Sequence, residues 1–204
     1  MTHDFMELLN SYAKGKFVFH LEVMPRKRID LYLEEDEPGI VLFVNPAWMK
    51  GFGKTTYQWT SPLFSDRNGI ISNVFTKVNY AGPESVRGLK LGGVLGRKYK
   101  GLEESIRQGW IVREDVVNEE INILKLCERR IDFMTAPESV LRYLVTQLGV
   151  GERIYFSPTP LFEYTRHILV SNGSPDLFAF LEHFTEELPT NPEWLALKVK
   201  YQLQ

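Results

Sequence analysis

Gly92-Gly93-Val94-Leu95-Gly96-Arg97-Lys98 is the stretch whose residue types and spacing come nearest to binding chemistry. Between a strand and a helix, such glycines leave backbone N–H groups open to an anion, and the helix start adds a positive dipole end. Arg97 and Lys98 would add charge there. The spacing fits neither the dinucleotide fingerprint nor the nucleotide loop, and no acidic residue follows at the distance that would hold a ribose. Two readings stand side by side: a general anion or carboxylate site, and a tight turn with solvated basic residues. Gly53-Lys54-Thr55 has the form of the tail of a phosphate loop, but the glycine needed five residues before Gly53 is Trp48, so that motif is rejected.

Trp59-Thr60-Ser61-Pro62-Leu63 sets an indole beside hydroxyl groups and a proline. That combination suits a flat ligand surface with hydrogen-bonding groups, and equally a core Trp followed by a turn. His3, His20, His167 and His183 lack the spacing of metal ligands and have no Cys partner, so no metal is expected. No Gly-x-Ser-x-Gly elbow activates a serine. Glu34, Glu35, Asp36 and Glu37 form an acidic run at a helix end and read as a solvated turn. Cys127 is the only cysteine, which rules out a disulfide within the chain, and its helical neighbours favour a buried, inert thiol.

These residues need a scaffold, and the pattern supplies one. Phe5, Met6, Leu8, Leu9 and Tyr12 make a helical stripe that stops at Gly15, Phe17–Val23 alternates as a strand, and Arg26–Glu35 reads as a helix. Ile40–Val44 is a continuous apolar run of the kind found in a strand covered on both faces. Strands are predicted at 69–75, 89–95, 110–112, 131–135, 153–156 and 164–170. Helices are predicted at 99–108, 118–129, 137–148, 175–187 and 194–201. In the second of these, Asn118 is the N-cap and Ile121, Leu124 and Cys127 share a face. Such alternation argues for an α/β fold with mainly parallel sheets flanked by helices. The breaks Tyr80-Ala81-Gly82-Pro83 and Ser157-Pro158-Thr159-Pro160 bracket a middle block. Two lobes are expected, the first from 1–76 and 162–204, the second from 77–161, joined by two hinge crossings.

Composition narrows the classes. In 204 residues, a 44% hydrophobic and 25% charged content is globular, so disorder is not expected. A net charge of -2 with both signs interspersed gives no footprint for nucleic acid or anionic lipid. The apolar runs are strand-length, which argues against membrane insertion. The start, Met1-Thr2-His3-Asp4, has no basic segment followed by an apolar one, so no export signal is expected in the chain as given.

The order of segments resembles the type II periplasmic binding proteins, specifically the extracellular solute-binding proteins of the amino-acid type (family 3). Met24-Pro25-Arg26-Lys27-Arg28 is similar to that family's proline–x–x–arginine entry to a helix, and Tyr57-Gln58-Trp59-Thr60-Ser61-Pro62-Leu63 to its segment before the first hinge strand. Leu89–Tyr99 resembles the strand, loop and helix that open the second lobe. Glu128–Met134 resembles the strand that closes it, and Asn191-Pro192-Glu193-Trp194 with Lys200-Tyr201 the C-terminal helix. The match spans nearly the whole chain, and its specificity lies in the order of weak motifs.

The resemblance implies an extracytoplasmic, periplasmic protein that closes on a small polar solute between its lobes and passes it to an ABC transporter permease. No cofactor and no catalysis are implied. Arg28, Trp59 and Ser61 would face the cleft from the first lobe. Gly96, Arg97, Lys98, Tyr99, Thr135, Glu138 and Ser139 would face it from the second. The position where the family often places an acid for a substrate ammonium holds Pro137 with Glu138 adjacent, so ammonium recognition is not the expectation. The family's first strand and signal peptide have no counterpart in the chain, which suggests strand-mediated self-association. Two alternatives stay open: a sensing or interaction module of the same fold, and a dehydratase-like enzyme with Glu138 as its acid–base group.

Overall fold

The structure is a computed structural model that describes residues 1–35, 37–49 and 57–203. Its elements begin with α1 (Thr2–Ala13), α2 (Arg26–Glu34), β1 (Ile40–Val44), β2 (Gln58–Trp59) and β3 (Phe64–Asn73). They continue with β4 (Lys90–Val94), α3 (Glu103–Arg107), β5 (Val112–Val116), α4 (Glu119–Cys127) and β6 (Phe133–Pro137). The last are α5 (Glu138–Gln147), β7 (Ile154–Phe156), β8 (Phe162–Val170), α6 (Pro175–Glu187) and α7 (Pro192–Tyr201). They form two compact units, one of Met1–Ser65 with Tyr164–Gln204, the other of Asp66–Glu163. No helix among the described residues is long and apolar enough to cross a membrane.

In the first unit, α1 buries Phe5, Leu8, Leu9 and Ala13, the face that its spacing predicts, and ends where Lys14 turns left-handed at φ 48 before Gly15. Phe5 meets Phe43, Phe184 and Trp194 edge-on at centroid distances of 5.0, 5.8 and 5.5 Å. β1 and β2 both pair antiparallel with β8, and β1 is interrupted by a register shift between Val41 and Val44, with Phe43 at φ 59. Only Phe43 of β1 is fully buried, so the strand is not covered on both faces as its composition suggests.

Phe17–Val23 forms no strand. A strand is stable only when its backbone groups find a ladder. Here the amide of Asn10 takes the ladder's place: its Nδ2 donates to Phe19 O at 2.9 Å, and Phe19 N donates to its Oδ1 at 2.8 Å. Phe17 and Phe19 lie against Phe180, while Val18 and Val23 are 68% and 93% exposed.

The second unit is a mixed sheet. β4 runs parallel to β5 and β6, and β3 runs antiparallel to β6 and β7. Helix α4 is capped by Asn118, whose side chain accepts from Ile121 N. It buries Asn122, Ile123, Leu126 and Cys127, so its inner face is rotated from the predicted Ile121–Leu124–Cys127 stripe. The cause is Asn122, a polar residue turned inward to donate to Gly93 O at 2.8 Å. A Cβ on Gly92 would come within 2.2 Å of Ile131 Cδ1 and 2.7 Å of Asn122 Oδ1. Glycine there lets β4 lie close under α4; its role is packing.

The chain passes between the units inside regular strands. β3 contributes Phe64 and Ser65 to the first and the rest to the second, and β8 contributes Phe162 and Glu163 to the second and the rest to the first. The Gly/Pro breaks at 80–83 and 157–160 are loops of the second unit, so the divisions fall at 65/66 and 163/164 rather than at 76/77 and 161/162.

Candidate ligand-binding site

The carboxyl ends of the parallel strands are where open α/β sheets bind ligands. In the second unit, register brings that end of β6 beside the first residues of β3: Asn68 faces Pro137, Gly69 faces Ala136, and Ile70 faces Thr135. This places Asp66 and Arg67 against the start of α5.

Glu138, the first residue of α5, is buried, and both its oxygens are engaged. Arg67 Nε donates to Oε2 at 2.5 Å and Nη2 to Oε1 at 3.0 Å. Arg142, one helical turn on, donates from Nε to Oε1 at 2.8 Å. Burial pushes the Glu138 carboxyl up, but the two guanidiniums outweigh it and hold the pKa below the ordinary carboxylate value. A Cβ on Gly69 would lie 3.2 Å from Glu138 Oε2, so a side chain there would press on this carboxylate. Ser139 Oγ donates to Asp66 Oδ2 at 2.9 Å, and Arg67 N donates to Asp66 Oδ1 at 2.9 Å. Asp66 thereby places a carboxylate at the start of α5, where the helix dipole favours it.

Thr135, on β6, stands outside this network. It is 2% exposed, and its Oγ1 has no hydrogen-bond partner among the described residues. A buried hydroxyl without a partner costs about 1–3 kcal/mol. Glu138 and Ser139 are held in one network with Asp66, Arg67 and Arg142, while Thr135 shares the sheet face of Phe133 rather than that of Ala136 and Gly69, against which Glu138 lies.

The 96–99 segment differs from its expectation. α3 starts at Glu103 rather than Tyr99, so no helix start faces Gly96–Lys98. Gly96 takes φ +76, and Arg97 N closes the turn on Val94 O at 3.1 Å. Arg97 is ion-paired to Glu119, and Lys98 is exposed. Tyr99 is a core residue: its hydroxyl accepts from Val94 N at 2.8 Å, Arg113 lies 4.9 Å from its ring, and burial raises the phenol pKa. The tight-turn reading of this loop fits these contacts, with the helix-dipole anion site removed.

In the first unit the three expected residues stand apart in character. Arg28 is exposed on α2 and donates to Tyr32 OH at 3.2 Å. Trp59 is partly buried, edge-on to His167 with centroids 6.4 Å apart. Ser61 donates from N and Oγ to the two oxygens of Glu182 at 2.7 and 2.6 Å, so a helix carboxylate already fills that hydroxyl. The sequence reading did not name Arg166, which lies 4.9 Å from the rings of both Trp48 and Tyr164 and donates from Nη1 to Phe43 O. The rejected Gly53-Lys54-Thr55 motif lies outside the described residues.

His3, Asp4 and Glu7 have potential metal-ligand atoms within 4.8 Å of one another at the start of α1. The Asp4 carboxylate is already held by Lys200 at 2.6 Å and Tyr201 at 2.9 Å, which explains the cluster without an ion.

The signals that could have exposed the missed residues are uneven. Glu138 and Arg142 stand at i,i+4, a spacing readable from sequence. Arg67 reaches Glu138 only through antiparallel register across 71 positions, which no local pattern encodes.

No protein-family model matches the chain, and no curated protein does. Solved structures do. The fold is that of the two-lobe periplasmic binding proteins. An ancestral arginine-binding protein bound to arginine superposes with a TM-score of 0.71 at 16% identity, over 97% of this chain and 87% of that one. The GluR0 ligand-binding core from Nostoc punctiforme in complex with L-glutamate gives 0.70 at 15% identity, over 97% and 90%. The ancestral amino acid-binding protein AncCDT-1, a precursor of cyclohexadienyl dehydratase, gives 0.66 at 15% identity, over 97% and 84%.

Proposed function

We infer that this chain is an extracytoplasmic solute-binding protein that takes a small polar solute and performs no chemistry on it, with an ABC-type permease as its membrane partner. The observation that carries the reading is the Thr135 hydroxyl, buried near the carboxyl end of β6 without a hydrogen-bond partner among the described residues. A folded protein gains little by keeping such a group unless a bound molecule satisfies it. The same fold holds arginine in one solved structure and glutamate in another.

The enzymatic alternative is less well supported. A dehydratase needs a proton donor or acceptor poised near neutrality, and Glu138 is held ionised by two arginines. Strand-mediated self-association is also disfavoured, because the register shift in β1 and the left-handed Phe43 blunt that edge.

Thermal-shift screening of amino acids, small carboxylates, polyamines and sugars tests the reading. A solute at a hundredfold excess over its Kd should stabilise the protein by about 2.7 kcal/mol. Thr135→Val should weaken that solute's binding while the unliganded protein becomes up to about 1 kcal/mol more stable. A broad panel with no stabilising solute would remove the reading, as would a solute indifferent to Thr135→Val.

A further inference from the structure

The second unit carries a separate cavity at the other end of β3. It has a volume of about 320 Å³ and is lined by Asn73, Phe75, Cys127, Arg129 and Arg153. We propose that it is a binding site for a small organic anion with a flat apolar body, such as an aromatic carboxylate.

The walls are built, and each component has a distinct role. Asn73 Nδ2 donates to Leu126 O at 3.0 Å and Cys127 O at 3.3 Å, while its Oδ1 accepts from Phe75 N at 3.0 Å. One buried amide thus ties the end of α4 to the turn that presents Phe75. Arg153 Nη2 donates to Cys127 O at 2.5 Å, which fixes that guanidinium and leaves its other donors. Burial raises the Cys127 thiol pKa, so the lining there is an uncharged sulfur. Phe75 is 82% exposed, a large apolar ring at the rim with no core to serve.

Arg129 supplies the most telling observation. It is the residue after the α4 cap, with Arg129 N on Leu126 O at 3.0 Å and Arg130 N on Lys125 O at 2.9 Å. Those two bonds define a helix end that calls for glycine, because the residue there is left-handed. Arg129 adopts φ 57. Its guanidinium makes no hydrogen bond or ion pair among the described residues. The position therefore keeps a costly side chain whose charge the fold itself does not use. Two guanidiniums that line one cavity match a carboxylate or phosphate, and the Phe75 ring matches a flat apolar body beside it. The volume is at the lower end of small-molecule sites.

Benzoate is the probe, with benzamide as its neutral isostere. Titration of the full chain, followed by backbone amide NMR, should give saturable shifts at Phe75, Arg129 and Arg153 with a Kd in the millimolar range, and benzamide should bind about tenfold more weakly. Arg129→Gly should keep or raise the unfolding midpoint, since glycine takes this conformation freely, yet lose about tenfold in benzoate affinity. Phe75→Ala should weaken benzoate without unfolding the protein, because the ring is exposed. Shifts that are absent, that benzamide reproduces, or that survive Arg129→Gly unchanged would overturn the proposal. Thr135 and the Glu138 network lie nearer the start of β3, so the solute screen reads out independently.

Discussion

Glu138 shows how one side chain can be both a stabiliser and a marker of the site. Its carboxylate is buried, and two arginines keep its pKa below the ordinary value in the folded state. A depressed folded pKa contributes stability above the unfolded value of about 4.3, and that contribution is lost as pH falls through the folded pKa. Denaturation midpoints measured from pH 6 down to pH 2 should therefore fall most steeply below about pH 4. Glu138→Gln should flatten that fall and cost about 2 kcal/mol at neutral pH, by leaving two guanidiniums short of a charged partner. A variant that loses nothing at neutral pH would show the pair to be idle. The acid itself was readable in sequence as a site candidate, and Arg142 stood within reach of the same pattern. Arg67 was not, because β3 and β6 had first to pair in one register before position 67 had any relation to position 138.

At the scale of elements, legibility followed periodicity. α1 and α6 fall where the 3.6-residue pattern puts them, since their buried faces are apolar and nothing competes. α4 lies where its pattern predicts, but its buried face differs, because Asn122 points inward to the Gly93 carbonyl and a hydropathy pattern scores it as outward. Phe17–Val23 has the alternation of a strand and lacks a ladder, a condition that no local sequence reports. That segment is held by Asn10 and the rings around Phe180, so Asn10→Ala should release it. Amide exchange at Phe19 should accelerate at least about tenfold, while Phe5, Leu8 and Leu9 in α1 keep their protection. Uniform acceleration across the first unit would mean that Asn10 supports the whole core instead. α1 is also tied to α6, where Tyr12 OH donates to Glu187 Oε2 at 2.6 Å, with burial and that carboxylate raising the phenol pKa to about 12. This contribution is complete below the unfolded value near 10 and disappears as pH rises through 12. A spectrophotometric titration of the protein should include a tyrosine ionising near 12, and Tyr12→Phe should remove that ionisation.

At the scale of the whole molecule, the architecture was legible from alternation and segment order, while the passages between units were not. Gly and Pro mark loops, but the chain crosses inside β3 and β8, which read as ordinary strands. The hydrophobic clusters respect this division. Phe5, Phe43, Phe184 and Trp194 belong to a cluster made only of first-unit residues, and Ile123, Leu126, Met134 and Leu141 to one made only of second-unit residues. A cavity cut into one cluster removes contacts from that cluster alone, so its cost should appear in one unit. Leu126→Ala, at a fully buried position, should cost about 2–5 kcal/mol. Native-state hydrogen exchange should show that loss at β4, β6 and α5, while amides of α1, α6 and β8 beyond Tyr164 keep their wild-type opening energies. The converse change, Phe184→Ala, should cost about 3–5 kcal/mol and reverse the pattern. If either substitution lowers protection equally in both units, the two cores unfold as one, and solute binding to either unit would then stabilise the entire chain.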